Sequence, residues 1–376
     1  MQWITPHLNL LVVFAASASV SALILLVRRL YMPLVERRMD SRAVQAAHAH
    51  PTPRIGGLAL LAGLVPTWLL LPDDISGFFL TLCVSLVPVV IAGLMEDLGL
   101  PVSPRRRLLA ASASSALVIL LVGMTIPRAD LPGFDMLLRW APFAALFTIF
   151  ACAGLCNAFN LIDGLNGLSA SVGLVCALGL AVIAAQAGQT SLALLNLMLI
   201  AGLTGFLSFN YPFGRIFLGD VGAYALGHLL AWCAIALMVS VEDLSAWAVL
   251  LLFFWPVADT FFAIYRRRRA GRPTDSPDRL HFHQLVMRAV EITMIGRGHR
   301  AIANPLATLI MTPVFTAPVV TGVWLWDRPA AAFLALCVYA ALFVASYYLG
   351  MRFARRSRRS ASQTGRISGL LKGSQA

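Results

Sequence analysis

Eleven separate runs of about twenty mostly apolar residues leave this chain one solvent to fold in. They lie near residues 8–27, 55–71, 78–95, 108–126, 140–158, 168–187, 192–210, 220–239, 246–265, 303–325 and 330–350. A run of that length, wound as a helix, crosses the roughly 30 Å hydrocarbon core of a bilayer. Of the 376 residues 59% are hydrophobic and 12% charged, about half the charge of a soluble domain. The expectation is an all-α integral membrane protein of about eleven spans, with residues 1–350 as one polytopic domain.

The basic residues orient it. With the amino terminus outside, 26 of the 29 Lys and Arg fall in cytoplasmic segments, leaving only Arg128, Arg139 and Arg328 beyond the membrane. That asymmetry follows the positive-inside rule and places the carboxyl terminus in the cytoplasm. The net charge of +12 then reports topology and contact with anionic membrane lipid, not nucleic-acid binding. Residues 351–376, with seven basic side chains plus Ser and Gly, read as a disordered cytoplasmic tail. The first apolar run lacks a basic segment before it and reads as a retained helix. The six cysteines all lie in or beside apolar runs without metal-site spacing, which makes them small apolar fillers.

Polar motifs gather at the cytoplasmic segments 28–54, 96–107, 159–167, 211–219 and 266–302. The first ends in HAHPTPRIGG, where Gly56 and Gly57 permit close backbone approach and His48 and Arg54 are candidate phosphate contacts. Glu96 and Asp97 are adjacent carboxylates at a helix end; neighbouring carboxylates repel unless one is protonated or a cation is shared, and a hard divalent ion is one such cation. NAFNLIDGLNGL, Asn157–Leu168, follows directly on an apolar run. Polar groups there need a polar partner, and Asn157, Asn160 and Asn166 can read the edges of a base while Asp163 takes a hydroxyl or an ion. Gly164 and Gly167 would leave room for a flat ring. In RIFLGDVGAYALG, Asp220 opens a helix, where it is either a cap or the ligand of a cation that bridges phosphates. Asp259 reads either as a buried polar group or, preferably, as a residue that snorkels with Arg266–Arg269. In SPDRLHFHQLVMR, His281 and His283 alternate, so both imidazoles fall on one side with Phe282 on the other; Arg279 and Arg288 supply nearby charge for pyrophosphate or sugar hydroxyls.

Together these motifs, in order over about residues 40–295, resemble those of the polyprenyl-phosphate N-acetylhexosamine-1-phosphate transferases, and NAFN with PDR and HFHQ is closer to the N-acetylglucosamine-1-phosphate branch than to lipid I synthase. The resemblance implies transfer of an N-acetylhexosamine 1-phosphate from a UDP-sugar to undecaprenyl phosphate, with release of UMP, at the cytoplasmic face of a bacterial inner membrane. It implies Mg²⁺, or Mn²⁺ in its place, held by Asp97 and Asp220. It further implies that Glu96, Asp97, Asp163, His281 and His283 do the chemistry and that His48, Arg54, Asn157, Asn160, Asn166 and Arg279 bind substrate; a homodimer is compatible with it. Four positions depart from the family pattern: Glu96 is one methylene longer than the usual Asp, Asn166 stands where Asp is common, Gln284 replaces a histidine and Ala223 a serine. A transporter or flippase of lipid-linked sugar also suits many spans, but it would place polar groups at the membrane midplane in repeated halves, and no repeat is present. A catalytically silent relative that binds polyprenyl phosphate is the third reading.

Overall fold

The structure, a computed structural model, describes residues 4–36, 52–272, 280–296 and 298–373. Among them it is all helix: α1 (Ile4–Glu36), α2 (Gly57–Leu70), α3 (Asp73–Ser85), α4 (Val87–Asp97), α5 (Pro104–Val122), α6 (Pro132–Leu138), α7 (Ala141–Ile162), α8 (Leu168–Gln186), α9 (Thr190–Asn210), α10 (Gly219–Ser240), α11 (Ala246–Leu252), α12 (Phe254–Arg269), α13 (Phe282–Val290), α14 (Arg300–Trp324) and α15 (Pro329–Gly373). A five-residue π-turn, Glu291–Ile295, extends α13.

Each apolar run falls on one helix or one bent pair. Among the described residues seven helices are long and apolar enough to span a membrane, and up to nine spans result if the bent pairs count as one each. Of the remaining two runs, α2 is only 14 residues long and α5 begins with Arg105–Arg107. The bends were not read from the apolar pattern. α3 meets α4 at 41° and α11 meets α12 at 83°. Pro88 and Pro256 sit just past these breaks, where the missing N–H and the ring stop a helix from running straight through. α15 continues as helix through Gly373, past the apolar run that ends near residue 350, since extending an established helix needs no new nucleus.

α10 is the axis. Every residue from Gly219 to Met238 is buried, as expected of a helix apolar on all sides. Around it pack α2, α4, α5, α7, α8 and α9. The approach is closest where glycines meet: a Cβ on Gly57 would lie 2.2 Å from the Gly222 nitrogen, and one on Gly93 would lie 2.6 Å from that of Val221. Lipid-facing positions such as Leu26, Leu120, Phe150 and Leu334 remain exposed at the periphery.

Both ends of α10 are clamped. At its start, Asp97 at the end of α4 accepts from the Asp220 and Val221 amides at 2.9 and 3.0 Å. Past its other end, Arg128 donates to the carbonyls of Met238, Val241 and Leu244. A carboxylate on free N–H groups and a guanidinium on free carbonyls both complement the helix dipole. Asp130 continues this second clamp by accepting from Ser245 and the Ala246 amide, at 2.8 and 2.7 Å.

Candidate active site

The start of α10 is where the motifs meet. Residues 53–57 run alongside 217–218, with the Phe217 amide donating to the Pro53 carbonyl at 2.8 Å, and Gly56 and Gly57 donating to Phe217 and Leu218 at 2.9 and 2.8 Å. PTPRIGG is thus a backbone clasp on the loop that presents Asp220. Gly219 turns the chain with φ of +71°, and a Cβ there would overlap the Arg54 carbonyl at 1.8 Å.

Three carboxylates and two guanidiniums surround that turn. Asp220 accepts from Asn160 Nδ2 at 2.9 Å and is paired with Arg107. Arg54 lies within electrostatic reach of Asp97 and Asp163, and Asp163 within reach of Asp220. Asp163 caps the end of α7, and its carboxyl is pushed up to about 7. Burial is the main cause and Asp220 adds to it, against the opposing pull of Arg54 and the Gly219 amide. Asn157 and Asn160 are three residues apart on α7, so they share a face, and both are partly exposed. Glu96 accepts from the Val102 amide at 2.8 Å and so fixes the turn into α5, which carries Arg107.

The histidine segment closes a second side. His281 Nδ1 lies 2.7 Å from Asp259 Oδ2, and Asp259 also accepts from the Phe282 amide at 3.1 Å. Asp259 is buried at 1% exposure, so the expected pairing with Arg266–Arg269 gives way to His281. His281 and His283 stack at 5.7 Å, on one side as expected, while Phe282 packs on Trp255. His283 is buried and pushed down to about 4, chiefly by burial, so it is neutral near pH 7. A Cβ on Gly164 would lie 2.6 Å from its Nε2, so the imidazole rests on the turn after α7.

Two parts of the nucleotide-site expectation change here. The space beside Gly164 and Gly167 is filled by His283 and the Tyr211 ring, not left open for a base. Asn166 is 5% exposed and serves as a staple: its side-chain amide donates to Pro212 at 2.8 Å, its backbone amide to Asn304 at 2.7 Å, and its carbonyl accepts from Thr308. His48 and Arg279 lie outside the described residues. Arg107 and Asp259 take part here although sequence reasoning named neither as a site residue, Asp259 being read only as a buried polar group or a companion of Arg266–Arg269. Three arginines within ten residues of the acidic pair were the available signal for the first; an aspartate at a span end beside a histidine loop was the signal for the second.

The donor set favours a hard cation in part. Among the described residues no three His, Cys, Asp or Glu form a ready cage, and both Asp97 oxygens already accept amide hydrogens. Asp220 and Asp163 offer carboxylate oxygens and Asn160 an amide oxygen, a set suited to Mg²⁺, which is usually held by one or two carboxylates plus phosphate and water.

Comparison with known proteins bears on the same segments. The profile of glycosyl transferase family 4 matches residues 79–238. The chain is 30% identical over 283 residues to the decaprenyl-phosphate N-acetylglucosaminephosphotransferase of Mycolicibacterium smegmatis, covering 67% of this chain and 68% of that relative. It is 28% identical over 275 residues to the probable undecaprenyl-phosphate N-acetylglucosaminyl 1-phosphate transferase of Bacillus subtilis, covering 71% and 75%. With the undecaprenyl-phosphate alpha-N-acetylglucosaminyl 1-phosphate transferase of Escherichia coli K12 the identity is 28% over 256 residues, covering 67% and 69%. An all-helical membrane chain whose central helix and its neighbours lie in the matched region belongs to glycosyl transferase family 4, and it is a phosphotransferase.

Proposed function

We propose that this enzyme transfers an N-acetylhexosamine 1-phosphate, with N-acetylglucosamine as the first sugar to test, from its UDP carrier to undecaprenyl phosphate in the cytoplasmic leaflet of a bacterial inner membrane. The supporting observation is the meeting of four motifs, far apart in sequence, at the start of α10, with the histidine segment packed on the turn after α7 beside them. A phosphate oxygen of the acceptor attacks the β-phosphorus, the bond to the α-phosphate oxygen breaks, and UMP leaves with the electron pair. Catalysis of this kind is positioning and charge stabilisation, with little covalent work for the protein.

Asp220 and Asp163 would hold Mg²⁺, or Mn²⁺, with Asn160 beside them; when bound, the ion supplies charge neutralisation on the pyrophosphate. Asp97 acts as a positioning residue, since its two oxygens fix the amides that set the Asp220 side chain. Arg107 is paired with Asp220 in this structure, and the incoming diphosphate is the competing anion for it. Arg54 balances Asp163, and Asn157 presents an amide one turn back on α7. Asp259 fixes the His281 ring, leaving Nε2 on the side away from the carboxylate to meet sugar or phosphate.

Purified protein in detergent with undecaprenyl phosphate, a panel of UDP-sugars and Mg²⁺ tests this directly. A lipid-linked diphospho-sugar and UMP in equal amounts are expected, with loss on chelation and recovery on adding Mg²⁺ or Mn²⁺. Movement of a lipid-linked sugar across a vesicle without UMP release would point to the carrier instead.

A further inference from the structure

A cavity of about 520 Å³ opens between the basic end of α12 and the end of the α15 span, away from the acidic cluster. Phe262, Tyr347 and Tyr348 line it, together with Arg266, Arg269 and Arg352. Arg266 is half-buried, its guanidinium 5.8 Å from the Phe262 ring centre and 5.4 Å from that of Tyr347, and it donates to the Tyr347 hydroxyl at 3.0 Å. Arg269 and Arg352 are exposed. Among the described residues the lining is therefore aromatic and apolar with three positive charges and no carboxylate.

A ligand matching both halves has an anionic phosphate and a hydrocarbon portion. The cavity lies between the basic end of α12, the second half of a bent span, and the end of the apolar part of α15, so its arginines follow directly on apolar helix, as residues at a membrane interface do. None of Asp97, Asp163, Asp220, Asn160, His281 or His283 lines it, so a phosphate held there has no reaction partner. We propose that this cavity is a site for a resident anionic phospholipid, its phosphate on Arg266, Arg269 and Arg352 and its first acyl carbons against Phe262, Tyr347 and Tyr348.

Occupancy would reach the active site through one short path. The Tyr347 hydroxyl donates to the Leu280 carbonyl at 3.2 Å, Leu280 itself lines the cavity, and the next residue is His281 on Asp259. A lipid that steadies Tyr347 steadies the entry to the histidine segment.

Native mass spectrometry of full-length protein released from nanodiscs of phosphatidylcholine with a minority of phosphatidylglycerol tests the site. Wild type should retain phosphatidylglycerol in preference to phosphatidylcholine, and Arg269→Gln/Arg352→Gln should lower that retention about tenfold, since each basic side chain near the surface contributes to holding an anionic lipid. Matching melting temperatures would show that the variant is folded. Glycerol 3-phosphate and undecaprenyl phosphate are added separately as competitors, and neither should displace the lipid. Equal retention by wild type and variant overturns the proposal. So does displacement by glycerol 3-phosphate, which would mean a free-anion site, or by undecaprenyl phosphate, which would mean the acceptor's own seat. Because the readout is bound lipid, it stands or falls independently of the transferase reaction.

Discussion

Asp163 should place the acid limit of donor binding near neutrality. Its carboxyl is pushed up to about 7 from the usual range near 4, because burial disfavours the charge more than Arg54 and the Gly219 amide restore it. If the ionised form helps to hold Mg²⁺, the fraction ready to do so is about nine-tenths at pH 8 and about one-tenth at pH 6, so binding of the Mg²⁺–UDP-sugar complex should weaken roughly tenfold between them. Calorimetry without acceptor lipid isolates the effect, since the acceptor is a phosphomonoester that titrates near pH 6 itself, whereas the UDP-sugar diphosphate does not change charge there. His283, pushed down to about 4, stays neutral throughout. At saturating Mg²⁺ the limit should move to lower pH, as the ion competes with the proton. The same shift has a sign for stability: a folded carboxyl that titrates high favours the fold below its unfolded value and loses that contribution as pH rises toward 7. Asp163→Asn should therefore be somewhat more stable than wild type at pH 8 while binding donor poorly at every pH. Donor affinity unchanged from pH 8 to pH 5, or an Asn variant that binds as wild type does, would refute the assignment.

Other outcomes follow from the same contacts. Asp259→Asn should cut turnover about a hundredfold, as expected when a reacting geometry is misplaced by about 1 Å, with donor binding far less affected; equal loss in kcat and binding would assign it to the fold alone. Gly219→Ala should abolish stable expression, because a Cβ would sit 1.8 Å from the Arg54 carbonyl on a backbone with φ of +71°, and a variant with wild-type melting behaviour would contradict the clasp. Arg128→Ala should lower stability by about 2 kcal/mol, the typical worth of charged hydrogen bonds, read as a drop in Tm with turnover per folded molecule retained.

The membrane class and the boundaries of most helices were legible in the sequence because apolar length carries them: the run at 220–239 is α10, Gly219–Ser240, nearly residue for residue. Bends were less legible, since a break at Phe253 leaves hydropathy unchanged and only Pro256 marks it. Asp97, Asp163, Asp220, Asn160 and Arg54 were legible as polar groups facing one membrane side, and they do converge. Their division of labour was not. That the Asp97 oxygens are occupied by amides, that Asn166 is a staple, and that Asp259 answers His281 all depend on neighbours more than twenty residues away in sequence.

The two-ended grip on α10 has a mechanical consequence. A rod held by a negative group at its head and a positive group at its foot resists sliding along its own length, which fixes Asp220 against α4 and the segment that carries Arg128. If a water-soluble donor and an oil-soluble acceptor meet at Asp220, as proposed, the fully packed central rod is what would hold their meeting point in place.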